Sequence, residues 1–193
     1  MNSNIEFYNK NADSYFSETI NLDMSEWIER FISYIPEGGR ILDAGCGSGR
    51  DSKIFISKGF SVVAFDGSKE MCLRASEYIG QNVINMCFED ITYKNEFDGI
   101  WACASLLHVS QTNLNAILKR LHAGLKANGA LYASFKYGNN SVKKGERFFL
   151  NFTEETLSKI FIEAGFKVIV TGISSDQRHN NESVYWMNII CKK

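Results

Sequence analysis

Polar side chains stand directly after four short apolar runs in this chain, and their types suit one kind of ligand. The first run, Ile41 and Leu42 in RILDAGCGSGR, ends in Asp43 and opens a turn with Gly45, Gly47 and Gly49 at alternate positions. The second, SVVAF, ends in Asp66. The third, Val83 to Phe88, ends in Glu89 and Asp90, and the fourth, Phe97 to Ala104, is followed by Ser105 and His108. Glycines in such a turn allow backbone angles that a Cβ forbids and let a ligand approach the main chain. A carboxylate at the end of the second run can accept from both hydroxyls of a ribose, about 1.5–3 kcal/mol for hydrogen bonds to a charged group. Asp43 beside the turn disfavours a pyrophosphate and favours a ligand with a positive centre. Chance would have to supply a polar group after every run, so the set carries more than any one member.

The neighbouring chemistries are excluded by missing residues. The dinucleotide fingerprint G-x-G-x-x-G needs a glycine where this chain has Arg50, and no GK[ST] follows for a phosphate-binding loop. The five cysteines, Cys46, Cys72, Cys87, Cys103 and Cys191, include no CxxC, so neither a zinc site nor a redox pair is expected. They read as reduced thiols of a cytosolic protein.

The elements that must position these side chains alternate. After the glycine turn, DSKIFISKG has helical character. Ser68 is a suitable N-cap for a helix closed by Gly80. Leu114, Ile117, Leu118, Leu121 and Leu125 form an amphipathic stripe that should stop at Asn128-Gly129, before a fifth strand over 130–135. Thr153 can cap a last helix ending at Gly165, and two strands follow, near 166–170 and 184–190. Alternating strands and helices imply a mostly parallel sheet with helices on both faces, whose ligands sit beyond the carboxyl ends of the strands. Residues 138–151 are the longest irregular piece, a length usually kept for function. The one proline, Pro36, with Gly38 and Gly39, marks a joint between an N-terminal helical cap, 1–37, and a core, 38–193.

Composition narrows the partners. A chain of 193 residues with 45% hydrophobic and 22% charged residues is an ordinary globular domain. Its net charge of −1 draws it to neither nucleic acid nor anionic lipid. The first residues have no signal-peptide pattern, and no apolar run is long enough to cross a membrane. A cytoplasmic protein, monomer or homodimer, is expected.

Taken together, LDAGCGSGR, VVAFD, FEDI, FDGIWACASLLHV and LKRLHAGLKANGALYASFKYG resemble the class I S-adenosylmethionine-dependent methyltransferases, and most of all their small bacterial single-domain type. The resemblance covers nearly the whole chain, from FYNKNADSYF to the last strand. It implies an α/β Rossmann-like doubly wound sheet of seven strands, the last antiparallel and inserted beside the fifth. It implies S-adenosyl-L-methionine as cofactor. By the same analogy Asp43 and the Gly45–Gly47 backbone face its methionine part, and Asp66 takes the ribose. Met71 packs near the adenine, Asp90 and the Ile91 amide read the adenine edge, and Ser105 lines the floor. Tyr8 and Tyr15 fold over the cofactor. LKANG stands where many relatives have proline-glycine, far from the site.

Methyl transfer is an in-line displacement that needs alignment and a dry site, and a general base when the acceptor carries a proton. His108, just past the fourth strand, is the candidate base and should titrate near neutrality. His122 and His179 read as surface residues. Arg147 and Tyr137 are candidates for holding the acceptor. No [DN]-P-P-[YFW] and no Pro-Cys follows the fourth strand, and VKKGER is a single basic patch, so a small-molecule O or N acceptor is favoured over a nucleic acid. The alternatives are a methyltransferase of RNA or protein and a non-catalytic cofactor-binding module.

Overall fold

The computed structural model describes residues 3–145, 147–178 and 184–193; His179 lies outside them. In chain order the elements are α1 Ser3–Lys10, α2 Ala12–Thr19, α3 Ser25–Ile32, β1 Arg40–Ala44, α4 Arg50–Ser57, β2 Ser61–Asp66, α5 Lys69–Ile79, β3 Ile84–Asn85, β4 Phe97–Ala102 and α6 Gln111–Gly124. They continue with β5 Leu125–Tyr137, β6 Val142–Lys144, β7 Arg147–Phe149, β8 Asn151–Phe152, α7 Glu154–Glu163, β9 Lys167–Ser175 and β10 Tyr185–Lys192.

The main sheet runs β3-β2-β1-β4-β5-β10-β9, with β8 beside the end of β5. β1 to β5 are parallel, and β10 is antiparallel to both β5 and β9. The last strand therefore enters beside the fifth, as the resemblance implied. Successive residues of a strand face opposite sides, and the two cores follow that period. Ile41, Trp101, Tyr132 and Ile190 pack on one face against Trp27, Ile28 and Phe31 of α3 and Phe55 of α4. Leu42, Ile100, Leu131 and Ile189 pack on the other against α6 and α7. Ser68 caps α5 by accepting from Met71 N–H, and Gly80 ends it in the left-handed region at φ 76°. Thr153 caps α7 through its bond from Thr156 N–H.

The structure corrects four expectations. The cap over 1–37 divides, because α3 is amphipathic and buries Trp27, Ile28 and Phe31 against the sheet; only α1 and α2 stand over the strand ends. The third strand shrinks to two residues, because a 3-10 turn at Phe88–Asp90 takes over its polar end. α6 ends at Gly124 instead of Asn128, and β5 starts at once, its register with β4 broken between Phe97 and Gly99. The segment 138–151 is not irregular: β6 and β7 pair as an antiparallel hairpin, Val142 opposite Phe149.

Candidate functional site

β1, β2 and β4 end side by side, and the turn after β1 is folded back over its neighbours. Gly45, Gly47 and Gly49 all have positive φ, at 78°, 54° and 77°. A Cβ on Gly45 would lie 2.5 Å from Ser105 Cβ, so only glycine lets the turn meet the end of β4. Gly45 and Cys46 N–H both donate to the Phe65 carbonyl at 2.9 Å. Gly47 N–H donates to Asp66 Oδ2 at 3.0 Å, and Ser68 N–H to Oδ1 at 2.8 Å. Each Asp66 oxygen keeps a lone pair for a further donor. Burial pushes the Asp66 carboxyl up from its ordinary value, opposed by these two bonds.

Asp43 is buried and accepts from Ser52 Oγ at 2.6 Å. Burial and then repulsion from Asp51 raise it to about 7. Asp51 itself accepts from Trp101 Nε1 at 2.8 Å and is held by the Arg50 guanidinium at 2.7 and 2.8 Å. Arg50, noted in the sequence only as a break in a glycine fingerprint, also donates to the Thr19 carbonyl at the end of α2.

At the end of β4, Ala104 sits at φ 50°, a conformation that costs a non-glycine residue about 1–2 kcal/mol. Ser134 Oγ holds it there by accepting from Ala104 N–H at 2.8 Å. The bend aims Ser105 Oγ at the Ala44 carbonyl, 2.7 Å away. His108 follows on a short 3-10 turn, Leu106–His108. Its Nδ1 lies 2.9 Å from the Phe148 carbonyl and its Nε2 lies 2.8 Å from the Tyr8 hydroxyl. Burial, which disfavours the charged ring, lowers His108 to about 4, below the neutral range expected from the sequence.

α1 closes the roof. Asn4 is buried; its Nδ2 donates to the His108 carbonyl and its Oδ1 accepts from Phe148 N–H. Asn9 Oδ1 accepts from Ser68 Oγ at 2.7 Å. Tyr8 and Tyr15 meet edge to face at 4.9 Å, and the Tyr15 ring lies over Gly47. The cavity beneath it holds about 830 Å³.

The cavity wall collects Tyr8, Tyr15, Asp43, Gly45, Gly47, Asp66, Met71, Ser105, His108 and Arg147 from the residues singled out in the sequence. It does not collect Asp90, Ile91 or Tyr137. Asp90 turns its carboxylate back onto Cys87 N–H at 3.1 Å, Ile91 N–H faces the Phe88 carbonyl, and Cys87, Phe88 and Glu89 form the wall instead. Tyr137, at the outer end of β5, is exposed, because alternation along the strand turns Lys136 inward in its place. His122 stands at Gly165, with its ring against Phe166. Of the Lys136–Tyr137 end of the fifth strand, which the sequence places at the acceptor pocket, only Lys136 lines the cavity. Sequence reasoning passed over Asn4, Arg50, Asp51, Ala104, Asp176 and Arg178.

A doubly wound sheet with its last strand reversed, a glycine turn under one acid and a second acid at the end of β2 defines an α/β protein built for a nucleoside-bearing ligand. Residues 41–129 match the family model for a methyltransferase domain. A Staphylococcus carnosus (strain TM300) protein described as an uncharacterized methyltransferase is 28% identical over 97% of this chain and 99% of its own. The Bacillus subtilis (strain 168) protein YqeM is 32% identical over 58% of this chain, and the match spans about half of that relative, 49%. The Burkholderia thailandensis 1,6-didemethyltoxoflavin-N1-methyltransferase, solved with 1,6-didemethyltoxoflavin and S-adenosylhomocysteine, shares the fold: TM-score 0.81 at 20% identity, over 98% of this chain and 84% of that one. Residues 41–129 thus carry a methyltransferase domain, and the chain is similar to a methyltransferase over nearly its whole length.

S-adenosylmethionine fits the residues present. The turn over Gly45–Gly47 leaves main chain bare where a Cβ would obstruct, and Asp66 retains acceptor capacity for a diol. Asp43 offers a buried carboxyl that a cationic ligand would ionise. No helix among the described residues is long and apolar enough to cross a membrane, and no cluster of metal-ligating side chains occurs among them.

Proposed function

We propose that this chain transfers a methyl group to an oxygen or nitrogen of a small-molecule acceptor. The observation that carries this reading is the roof. Asn4 and Tyr8 tie α1 to His108 and to β7, and this roof supports a pocket for a small acceptor over a continuous track. A polynucleotide needs a groove along which successive bases can stack.

Bound S-adenosylmethionine supplies a methyl carbon activated by its sulfonium. In this reading Asp66 holds the ribose, Asp43 and the Gly45–Gly47 backbone hold the methionine part, and Met71 and Phe88 flank the base. Ser105 forms the floor, and Tyr8 and Tyr15 exclude water. Fixing two reactants in a dry site can contribute about 7–11 kcal/mol. His108 is assigned the proton. As a neutral ring of low basicity it takes a proton from an acceptor atom made acidic by alkylation, at the lone pair that Tyr8 occupies in this structure.

Methyl-labelled S-adenosylmethionine, incubated with the protein and a fractionated cell extract, tests the assignment. Label should appear in the low-mass pool. Label confined to RNA or protein would overturn the acceptor class, and no transfer to any fraction would leave a binding module.

A further inference from the structure

We propose that the acceptor is a carboxylate-bearing small molecule whose acid group sits between Lys136 and Arg147; this rests on the methyl-transfer reading above. Lys136 is at the carboxyl end of β5 and Arg147 opens β7, so the hairpin brings together two residues eleven positions apart. Both cations stand at the ring of Phe149, Lys136 Nζ at 4.6 Å and the Arg147 guanidinium carbon at 5.1 Å from its centroid. Arg147 also lies 4.2 Å from the Phe7 ring, and Lys136 6.0 Å from Trp186. Both line the cavity.

Among the described residues no carboxylate forms an ion pair with either cation. Lys136 faces three cations, Arg178, Lys144 and Arg147, and one anion, Asp176. That anion is already committed: Arg178 clasps it through Nε at 2.9 Å and Nη2 at 2.5 Å, and Arg178 N–H donates to it at 3.0 Å. Burial first, then Arg178, drives the Lys136 ammonium below its ordinary value. Aromatic faces offset part of this cost, but two half-buried cations that share one ring still gain from an anion.

The surroundings favour a carboxylate on an apolar body. Phe149 and Trp186, which line the cavity beside the two cations, offer ring surface to the rest of the molecule. A guanidinium fork matches a planar carboxylate. The Arg147 charge also acts on the Tyr8 hydroxyl, which bonds His108, so the anchor lies near the assigned proton acceptor. The glycine turn and Asp66, where the cofactor is placed, lie at the ends of β1 and β2, away from β5 and β7.

Calorimetry on the full chain saturated with S-adenosylhomocysteine, titrated with benzoate, benzamide and inorganic phosphate, tests this. Benzoate should bind about tenfold or more tightly than its neutral isostere, the value of one bond to a charged group. Lys136→Met and Arg147→Met should each weaken benzoate about tenfold while S-adenosylhomocysteine affinity, which also reports folding, stays within about threefold. Lys136→Arg should keep benzoate. Equal binding of benzamide, binding of phosphate alone, no saturable benzoate binding, or Met variants with unchanged benzoate affinity would each overturn the clamp. Failure to bind S-adenosylhomocysteine at all would instead overturn the cofactor site.

Discussion

The Tyr8 hydroxyl and His108 Nε2, 100 residues apart in sequence, are 2.8 Å apart in the fold. On the other side of the ring Nδ1 faces the Phe148 carbonyl at 2.9 Å. A carbonyl only accepts, so Nδ1 carries the proton and the Nε2 lone pair accepts from Tyr8. One histidine thus fastens the lid to the hairpin and keeps its basic nitrogen turned to the cavity wall.

Replacing that ring should show in the chemistry and not in cofactor binding. His108→Gln should lower turnover about 10²–10⁴-fold, the usual range for a positioned acid or base. In the wild type the acidic limb of the rate profile should lie near pH 4, where burial places this group, and not near neutrality. A limb near neutrality that disappears in the variant would contradict the burial argument. Calorimetry with S-adenosylhomocysteine should give nearly the wild-type affinity.

Asp66→Ala should weaken S-adenosylhomocysteine by about 1.5–3 kcal/mol, from lost bonds between a charged acceptor and two hydroxyls. It also frees the Gly47 and Ser68 N–H groups that now point at the carboxylate. Unchanged affinity would remove Asp66 from the ribose site.

The pH dependence of stability should carry two opposite contributions. Asp43 is raised from 3.8 to about 7, so the folded chain keeps a proton that the unfolded chain has released. Its stabilisation is present in full below about pH 4 and is lost as the pH rises through about 7. His108 is lowered from 6.5 to about 4, so its contribution is present above about pH 6.5 and is lost as the pH falls through about 4. In thermal melts of ligand-free protein, Asp43→Asn should gain on the wild type as pH rises. His108→Gln should gain on it as pH falls. Parallel curves for either pair would contradict the assignment.

Asn4→Ala should loosen the roof. It removes bonds from α1 to both the His108 carbonyl and Phe148 N–H, and leaves those backbone groups needing water. Amide exchange across α1 should quicken in the variant, and in the wild type it should slow when S-adenosylhomocysteine is added. Equal exchange with and without ligand would argue against a closing lid.

What the sequence determined by itself is local. Runs of β-branched and apolar residues ending in Asp43 and Asp66, glycines at alternate positions, Ser68 and Thr153 as caps and Gly80 as a stop all act over a few residues, so spacing alone reveals them. The open sheet then follows, because a chain that alternates such units must bury both faces of its strands. Tertiary structure decided which polar groups meet. Nothing in the spacing pairs Tyr8 with His108, Asp51 with Trp101, or Asn4 with residues 104 and 144 positions away. Those bonds exist because two faces of one sheet and a short lid fix where each strand end points. The same packing turned Asp90 onto its own backbone, sent Tyr137 to solvent, and paired β6 with β7 in a hairpin whose arginine shares the ring of Phe149 with Lys136. Side-chain convergence of this kind depends on the angle and register of whole elements, and a linear pattern of residue types does not contain them.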